Sequence, residues 1–255
     1  MNMFAFRNYL FFLLIFHISI VSAQKDIQDS SITVPMVYGF YGYQIAGGDM
    51  AERFGNNSVV GPGFQVKLKS QWIFGLEYNY FWGNKVKNAD EILGNVLTAD
   101  GQLISTDGTY AIFDLFERGY SIMGHVGRLF NVLAPNPNSG IMVKVGAGYM
   151  QHWVRIQIGD FEVPWLEDDY AKGYDRMTGG FAMSEFIGYL YLGNTRVLNF
   201  YGGFEFMQGW TRGLRDVDFD TGQKDNSKRF ELLNGFKIGW IIPIYKRKPE
   251  AYYFY

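Results

Sequence analysis

Cysteine is absent from the 255 residues. That absence excludes disulfides, thiolate metal sites and a lipidated N-terminal cysteine. A basic excess is also lacking: 23 Lys and Arg stand against 25 Asp and Glu, for a net charge of −2. Nothing in that balance gives the electrostatic footprint of a nucleic-acid partner. Past residue 23 there is no long uncharged apolar run, so no helix of about 20 residues is expected to cross a bilayer. Histidine is scarce as well. Beyond the first 23 residues only His125 and His152 remain, and no His-x-Ser pair accompanies them.

Aromatic residues make up 18% of the chain and glycines number 31, yet the mean hydropathy is only −0.08. Many rings with a modest mean suit a membrane barrel, where apolar outward and polar inward positions alternate and average out. The first residues read as a secretory signal. Arg7 supplies the positive start, Tyr9 to Ile20 the apolar stretch, and Val21-Ser22-Ala23 a small-residue cleavage site. The expected divisions are a signal over 1–23, a short periplasmic N-terminus over 24–30, a barrel over 31–247 and an aromatic tail over 248–255.

From Ser31 onward the pattern has period two. Trp72, Phe74, Leu76, Tyr78, Tyr80 and Trp82 share one face, against Ile73, Gly75, Glu77, Asn79 and Phe81. A soluble sheet would hide the first face in a core, whereas a membrane barrel turns it to lipid with rings at both interfaces. The same alternation runs through 60–68, 141–153, 198–210 and 230–242, and less cleanly through 34–44, 119–131 and 180–192. These eight segments are each long enough to span a bilayer at barrel tilt.

The connections add to the case. Long polar segments are expected at 47–57, 84–118, 156–179 and 211–228, and short turns at 69–71, 131–140 and 193–195. Long connections follow odd-numbered strands, as in barrels with long extracellular loops and short periplasmic turns. Local order is expected inside the loops. Asn88 with Glu91 reads as a helix cap and its reciprocal partner, and Pro164 to Lys172 as a short helix ended by Gly173. Asp100-Gly101 and Asp107-Gly108 read as turns. The predicted fold is thus all-β: an eight-stranded antiparallel transmembrane up-and-down β-barrel with long extracellular loops.

Several residues could carry chemistry. Lys67, Glu77, His125, Lys144, Glu205 and Lys237 are expected to face the lumen, with Glu185 able to do so too. An eight-stranded barrel has an interior that side chains can fill, so these charges are expected to form a paired core closing it. The alternative is a narrow solute path. His152 lies near the extracellular rim with Asp168 and Asp169 in the following loop, a conceivable general-base arrangement; the other reading is a polar residue in an aromatic girdle. Asp216, Asp218 and Asp220 resemble the start of a calcium loop, but the glycine falls one place late and no Glu holds the twelfth position. Trp165, Tyr170, Tyr174 and Arg176 lie in a loop suited to presenting a partner surface. No cofactor and no metal are expected.

The aromatic end of the chain, Ala251 to Tyr255, resembles the insertion signal that the barrel-assembly machinery reads, although Pro243 and Pro249 interrupt the segment. The whole pattern resembles the small outer-membrane barrels of Gram-negative bacteria, the OmpA/OmpX-like class. The Ala23-Gln24 junction and tyrosine-rich strands resemble members from the Bacteroidetes group. The resemblance implies an outer-membrane location, contact with outer-membrane lipid, and assistance from the barrel-assembly machinery. The expected function is that of a non-enzymatic accessory barrel presenting loops to partners in an outer-membrane secretion or assembly complex, the type IX machinery being one example. The alternatives are a stand-alone channel, or a surface protease or lipid-modifying enzyme using His152.

Overall fold

A computed structural model describes residues 30–194 and 198–245. The expected signal, most of the 24–30 stretch, the end of the 193–195 turn and the 248–255 tail lie outside the described residues. The barrel falls within one compact unit, residues 27–244.

In chain order the elements are β1 (Val34–Gly48), α1 (Asp49–Arg53), β2 (Asn57–Lys67), β3 (Trp72–Gly83), α2 (Ala89–Leu93), the hairpin of β4 (Leu103–Ile104) and β5 (Tyr110–Ala111), and β6 (Phe113–Phe130). There follow β7 (Gly140–Ile158), a 3-10 turn (Pro164–Leu166), α3 (Asp168–Ala171), β8 (Thr178–Leu192), β9 (Asn199–Gly213) and β10 (Lys228–Pro243). Eight of these strands form a closed barrel in the order β1-β10-β9-β8-β7-β6-β3-β2. Every pairing is antiparallel, and β1 closes the ring by pairing β2 on one side (Val34 opposite Lys67) and β10 on the other (Met36 opposite Pro243). The fold is the all-β up-and-down barrel expected from the alternation.

The strands run further than the alternation suggests, by several residues at the long-loop end and by no more than one at the short-turn end. The fourth barrel strand starts at Phe113, the fifth reaches Ile158, and β1 continues to Gly48. A tilted strand of about 9–11 residues already spans the hydrocarbon layer, so the surplus of these 15- to 19-residue strands projects past it. There the outward positions turn polar, as at Asp114, Arg155 and Gln157, and the apolar-polar alternation that marks a half-buried strand fades.

The outer surface is apolar between two girdles. Trp72 and Trp240 lie toward the short turns, and Trp82, Trp153 and Trp210 toward the long loops. Ten residue steps separate Trp72 from Trp82 on β3. At ~3.3 Å per residue and ~40° tilt they span roughly 25 Å, the height of a lipid-facing band. Leu76 (62% exposed) and Phe204 (59%) stand in that band. Exposed apolar surface on this scale is a contact face for lipid or protein.

Inside, large rings fill the space left by glycines. A Cβ on Gly63 would stand 2.1 Å from Tyr38 Cζ, and one on Gly239 2.2 Å from Tyr201 Cε1. Both positions need glycine because a ring occupies the space a side chain would take.

The loops differ in detail from expectation. Asn88 makes no side-chain cap on α2. Its amide donates instead to the Glu91 carboxylate at 3.1 Å, so the two side chains satisfy each other rather than the backbone. The expected helix after Pro164 is split into the 3-10 turn and α3, with Glu167 extended between them. Gly101 and Gly108 sit at φ of 73° and 82°, the turn geometry those positions call for.

Candidate functional site

The lumen is filled in three layers. The middle layer centres on Lys237. Its ammonium donates to Glu77 Oε1 at 2.5 Å, Glu205 Oε1 at 2.7 Å and Asn79 Oδ1 at 3.1 Å. Lys144 lies 3.8 Å from the other Glu77 oxygen, and Tyr38 OH donates to that oxygen at 3.0 Å. Rings of Phe186, Tyr201 and Tyr38 surround Lys144, at 4.9, 5.4 and 5.8 Å from its nitrogen. Phe40 lies 4.3 Å from the Lys237 ammonium. Two cations therefore face two anions, and desolvated cation–π contacts supplement the ion pairs. Buried charges persist only with such partners.

Lys67 and His125 do not belong to this pairing. The β2–β3 register places Lys67 opposite Ile73 and Glu77 opposite Gly63, so the two charges sit at different heights. Lys67 instead serves the short-turn end, donating to Asn138 Oδ1 at 2.9 Å, Ser31 Oγ at 3.2 Å and the Ile32 carbonyl at 3.3 Å. His125 is half-buried, and its Nε2 has no hydrogen-bond partner among the described residues.

Asn138 belongs to the 131–140 turn, which was expected to be only a connection. Asn136, Asn138 and Ser139 are buried. Asn136 Nδ2 donates to the Leu192 carbonyl at 2.7 Å, and Asn138 Oδ1 accepts the Ile32 amide at 2.9 Å. The turn folds inward and floors the barrel.

At the long-loop end α1 returns over the mouth. Gly48, at φ 56°, lets the chain leave β1 sharply, Met50 and Phe54 bury beneath it, and Arg53 reaches inward. Arg53 pairs with Glu231 and donates to Thr178 Oγ1 at 3.3 Å. His152 Nε2 lies 2.9 Å from Glu231 Oε2, and the Phe54 ring meets the imidazole edge-on at 5.5 Å. Glu117 is buried beside Asn57, whose amide donates to it at 3.2 Å. His152 is thus neither a rim residue nor a partner of the loop carboxylates. It is fully buried, while Asp169 is exposed and paired with Lys172 at 2.5 Å; the side chain of Asp168 lies outside those described. The interior alternation already pointed Glu231 inward, but nothing local joined it to Arg53 or His152.

The other loop candidates separate likewise. Asp216 pairs with Lys224 at 3.0 Å, and Asp220 with Arg176. Asp218 is buried, and no metal-ligating cluster forms among the described residues. Tyr174 is buried edge-on against Phe219, with centroids 5.6 Å apart. Tyr174 and Arg176 therefore bind the third long loop to the fourth instead of being presented. Trp165 (38% exposed) and Tyr170 (62%) remain accessible.

The long loops are laced into a cap. The amide of Gly55 bonds the Lys85 carbonyl at 2.9 Å, that of Thr106 the Glu162 carbonyl at 3.0 Å, and that of Phe219 the Gly173 carbonyl at 2.9 Å. Asn95 Nδ2 donates to the Phe219 carbonyl at 2.9 Å, and Arg215 pairs with Asp175.

One outward residue breaks the belt. Glu185 lies opposite Val145 and Phe206, both exposed on the outer face, so it faces out, against the expectation that it could point inward. Gln208 Nε2 donates to Glu185 Oε2 at 2.9 Å, and Asn234 lies opposite Phe206 from the other side. Among the described residues it is the only charged side chain on the outer face between the two tryptophan girdles.

No protein-family model matches the chain, and no curated protein matches it. Similar solved structures include Ail, the attachment invasion locus protein of Yersinia pestis, in complex with the heparin analogue sucrose octasulfate. It shares 9% identity over 82% of this chain and 97% of that one, with a TM-score of 0.40. The outer membrane protein OprG from Pseudomonas aeruginosa shares 12% identity over 85% and 99%, with a TM-score of 0.39. The N-terminal β-barrel domain of Pseudomonas aeruginosa OprF shares 10% identity over 81% and 96%, with a TM-score of 0.33. Similarity at this level transfers no residue roles.

Proposed function

We propose that the protein is a bacterial outer-membrane barrel with a closed lumen, long loops outside and short turns in the periplasm, acting as an accessory subunit beside another envelope protein. The carrying observation is the Glu185, Gln208 and Asn234 cluster around Phe206 on the lipid-facing surface. An ionisable group at that depth is costly against hydrocarbon and is ordinarily covered by protein or paired. Gln208 satisfies part of it; a partner strand or helix with a complementary polar group would cover the rest. The paired interior supports the closed lumen, and the laced cap with exposed Trp165 and Tyr170 offers a second contact face.

The test is purification of the tagged protein from native outer membranes in mild detergent, followed by mass spectrometry. A stoichiometric membrane partner that is lost on Glu185→Leu, while the variant barrel still folds, supports the reading. Recovery of the wild-type barrel alone, or a partner indifferent to Glu185→Leu and to Trp165→Ala with Tyr170→Ala, contradicts it.

A further inference from the structure

Two exposed cations face each other on the outer wall at the long-loop end. Arg212 on β9 lies directly opposite Lys228 on β10, and the next outward pair below them is Trp210 with Phe230. Opposed side chains on one face of a sheet start about 5 Å apart at Cβ, and like charges so placed repel. Neither side chain makes an ion pair or hydrogen bond among the described residues. Nearby acids are engaged elsewhere: Asp225 with Arg229, Asp216 with Lys224 at 3.0 Å, and Asp49 with the Phe230 amide at 2.6 Å. Two other outward arginines have an outlet for their charge. Arg118 donates to the Glu117 carbonyl at 2.6 Å, and Arg128 lies 5.7 Å from the Trp72 ring. Arg155 is exposed too, but it stands opposite Phe116 and not a second cation. The height of the Arg212–Lys228 pair also matters. Ten residue steps separate Trp240 from Phe230 on β10, which is again the height of the lipid-facing band. Lys228 stands two residues further on, ~5 Å past that band at ~3.3 Å per residue and ~40° tilt, in the layer that lipid headgroups occupy.

We propose that Arg212 and Lys228 clamp the phosphate of an anionic membrane lipid whose acyl chains lie along the wall below. A phosphate has oxygens enough to accept from the guanidinium and the ammonium at once, and its charge removes their repulsion. Basic side chains at this depth are the usual means of holding anionic headgroups. The wall below suits the chains. Phe181 stacks on Trp210 with centroids 5.9 Å apart, and Phe230 tilts against Trp210 at 5.5 Å. All three rings are exposed on the outer face. A lipid whose headgroup carries its own cation relieves the pair less, so the site favours a lipid with a bare phosphate. The pair stands nearer the loops than the Glu185 cluster, four residues beyond Gln208 on β9, and neither proposal needs the other.

Dioleoyl phosphatidic acid is the probe, added to the full-length protein in a neutral detergent and read by native mass spectrometry. Dioleoyl phosphatidylcholine supplies the same chains with a zwitterionic head, and glycerol 3-phosphate the phosphate without the chains. The expected result is one phosphatidic acid retained per barrel, preferred about tenfold or more over phosphatidylcholine, with glycerol 3-phosphate not retained. The double variant Arg212→Gln with Lys228→Gln should lose that preference, and Arg155→Gln should keep it. Unfolding midpoints give a second reading. Phosphatidic acid should raise that of wild type and leave that of the double variant unchanged, while without lipid the double variant should be at least as stable as wild type, its repulsion gone. Equal retention of the two lipids by wild type would overturn the proposal and leave the pair to the carboxylate of a protein partner. A preference kept by the double variant, an equal loss in Arg155→Gln, glycerol 3-phosphate bound as tightly as the lipid, or a double variant less stable than wild type without lipid would overturn it as well.

Discussion

Lys237 Nζ and Glu77 Oε1 meet at 2.5 Å inside the barrel, although they come from β10 and β3, which are separated in the ring by β1 and β2. The bond crosses the lumen rather than running along its wall. With Glu205 and Lys144 it ties the barrel together through its axis, and a solute entering the lumen would have to break it.

Lys237→Met should be among the most damaging single changes. It leaves Glu77 and Glu205 buried with only Lys144 nearby. Removing one partner of a buried ion pair costs about 3–5 kcal/mol. Urea unfolding in micelles, followed by tryptophan fluorescence, measures this. An unfolding midpoint equal to wild type would mean the cluster is hydrated and loosely held.

Lys67→Met should cost less, about 1–3 kcal/mol. Its partners, Ser31, Asn138 and the Ile32 carbonyl, are all neutral, so its removal strands no buried charge. The same unfolding experiment ranks the two variants. A larger loss for Lys67→Met than for Lys237→Met would contradict the division into separate layers.

Arginine at position 76 or 204 should cost about 2–4 kcal/mol if those residues face mid-bilayer hydrocarbon. Tyr110→Arg, on the exposed hairpin, should change stability little. Folding yield into liposomes and urea midpoints separate the sites, and uniform tolerance across all three would reverse the assignment of the faces.

The β4–β5 hairpin should loosen in acid. Hydrogen bonds from the Ser105 and Thr109 hydroxyls, and from the Thr109 amide, hold the Asp107 carboxyl down at about 2. A folded value below the unfolded one, about 3.9, gives stabilisation that is present above pH ~4 and lost as pH falls toward 2. Amide exchange at Thr109 should accelerate across that window in wild type and be fast throughout in Asp107→Ala. Flat protection through the window would remove the carboxylate from the turn's support.

How much was legible in the sequence follows from the physics of each signal. Alternation is local, so Trp72 to Trp82 revealed a strand and both its faces at once. The same rule aimed Lys237, Glu205 and Lys144 inward. Glu117 fell in an expected loop because its strand continues where outward positions are polar. Arg53 could not be joined to Glu231 and His152, since their meeting depends on α1 folding back over the mouth. Glu185 was ambiguous because Gly188 and Ser184 blur the period on β8; only the register with Val145 and Phe206 sets its side. The 131–140 turn read as a connection because nothing in its composition distinguishes a turn that hangs free from one that folds inward.

The most direct test of the closed lumen is planar-bilayer recording of the purified full-length barrel, beside an open porin as the positive control. Wild type should stay silent while the porin conducts, because the floor, the middle layer and α1 over the mouth close the lumen in series. Stable ohmic steps from the wild-type protein itself would contradict the account.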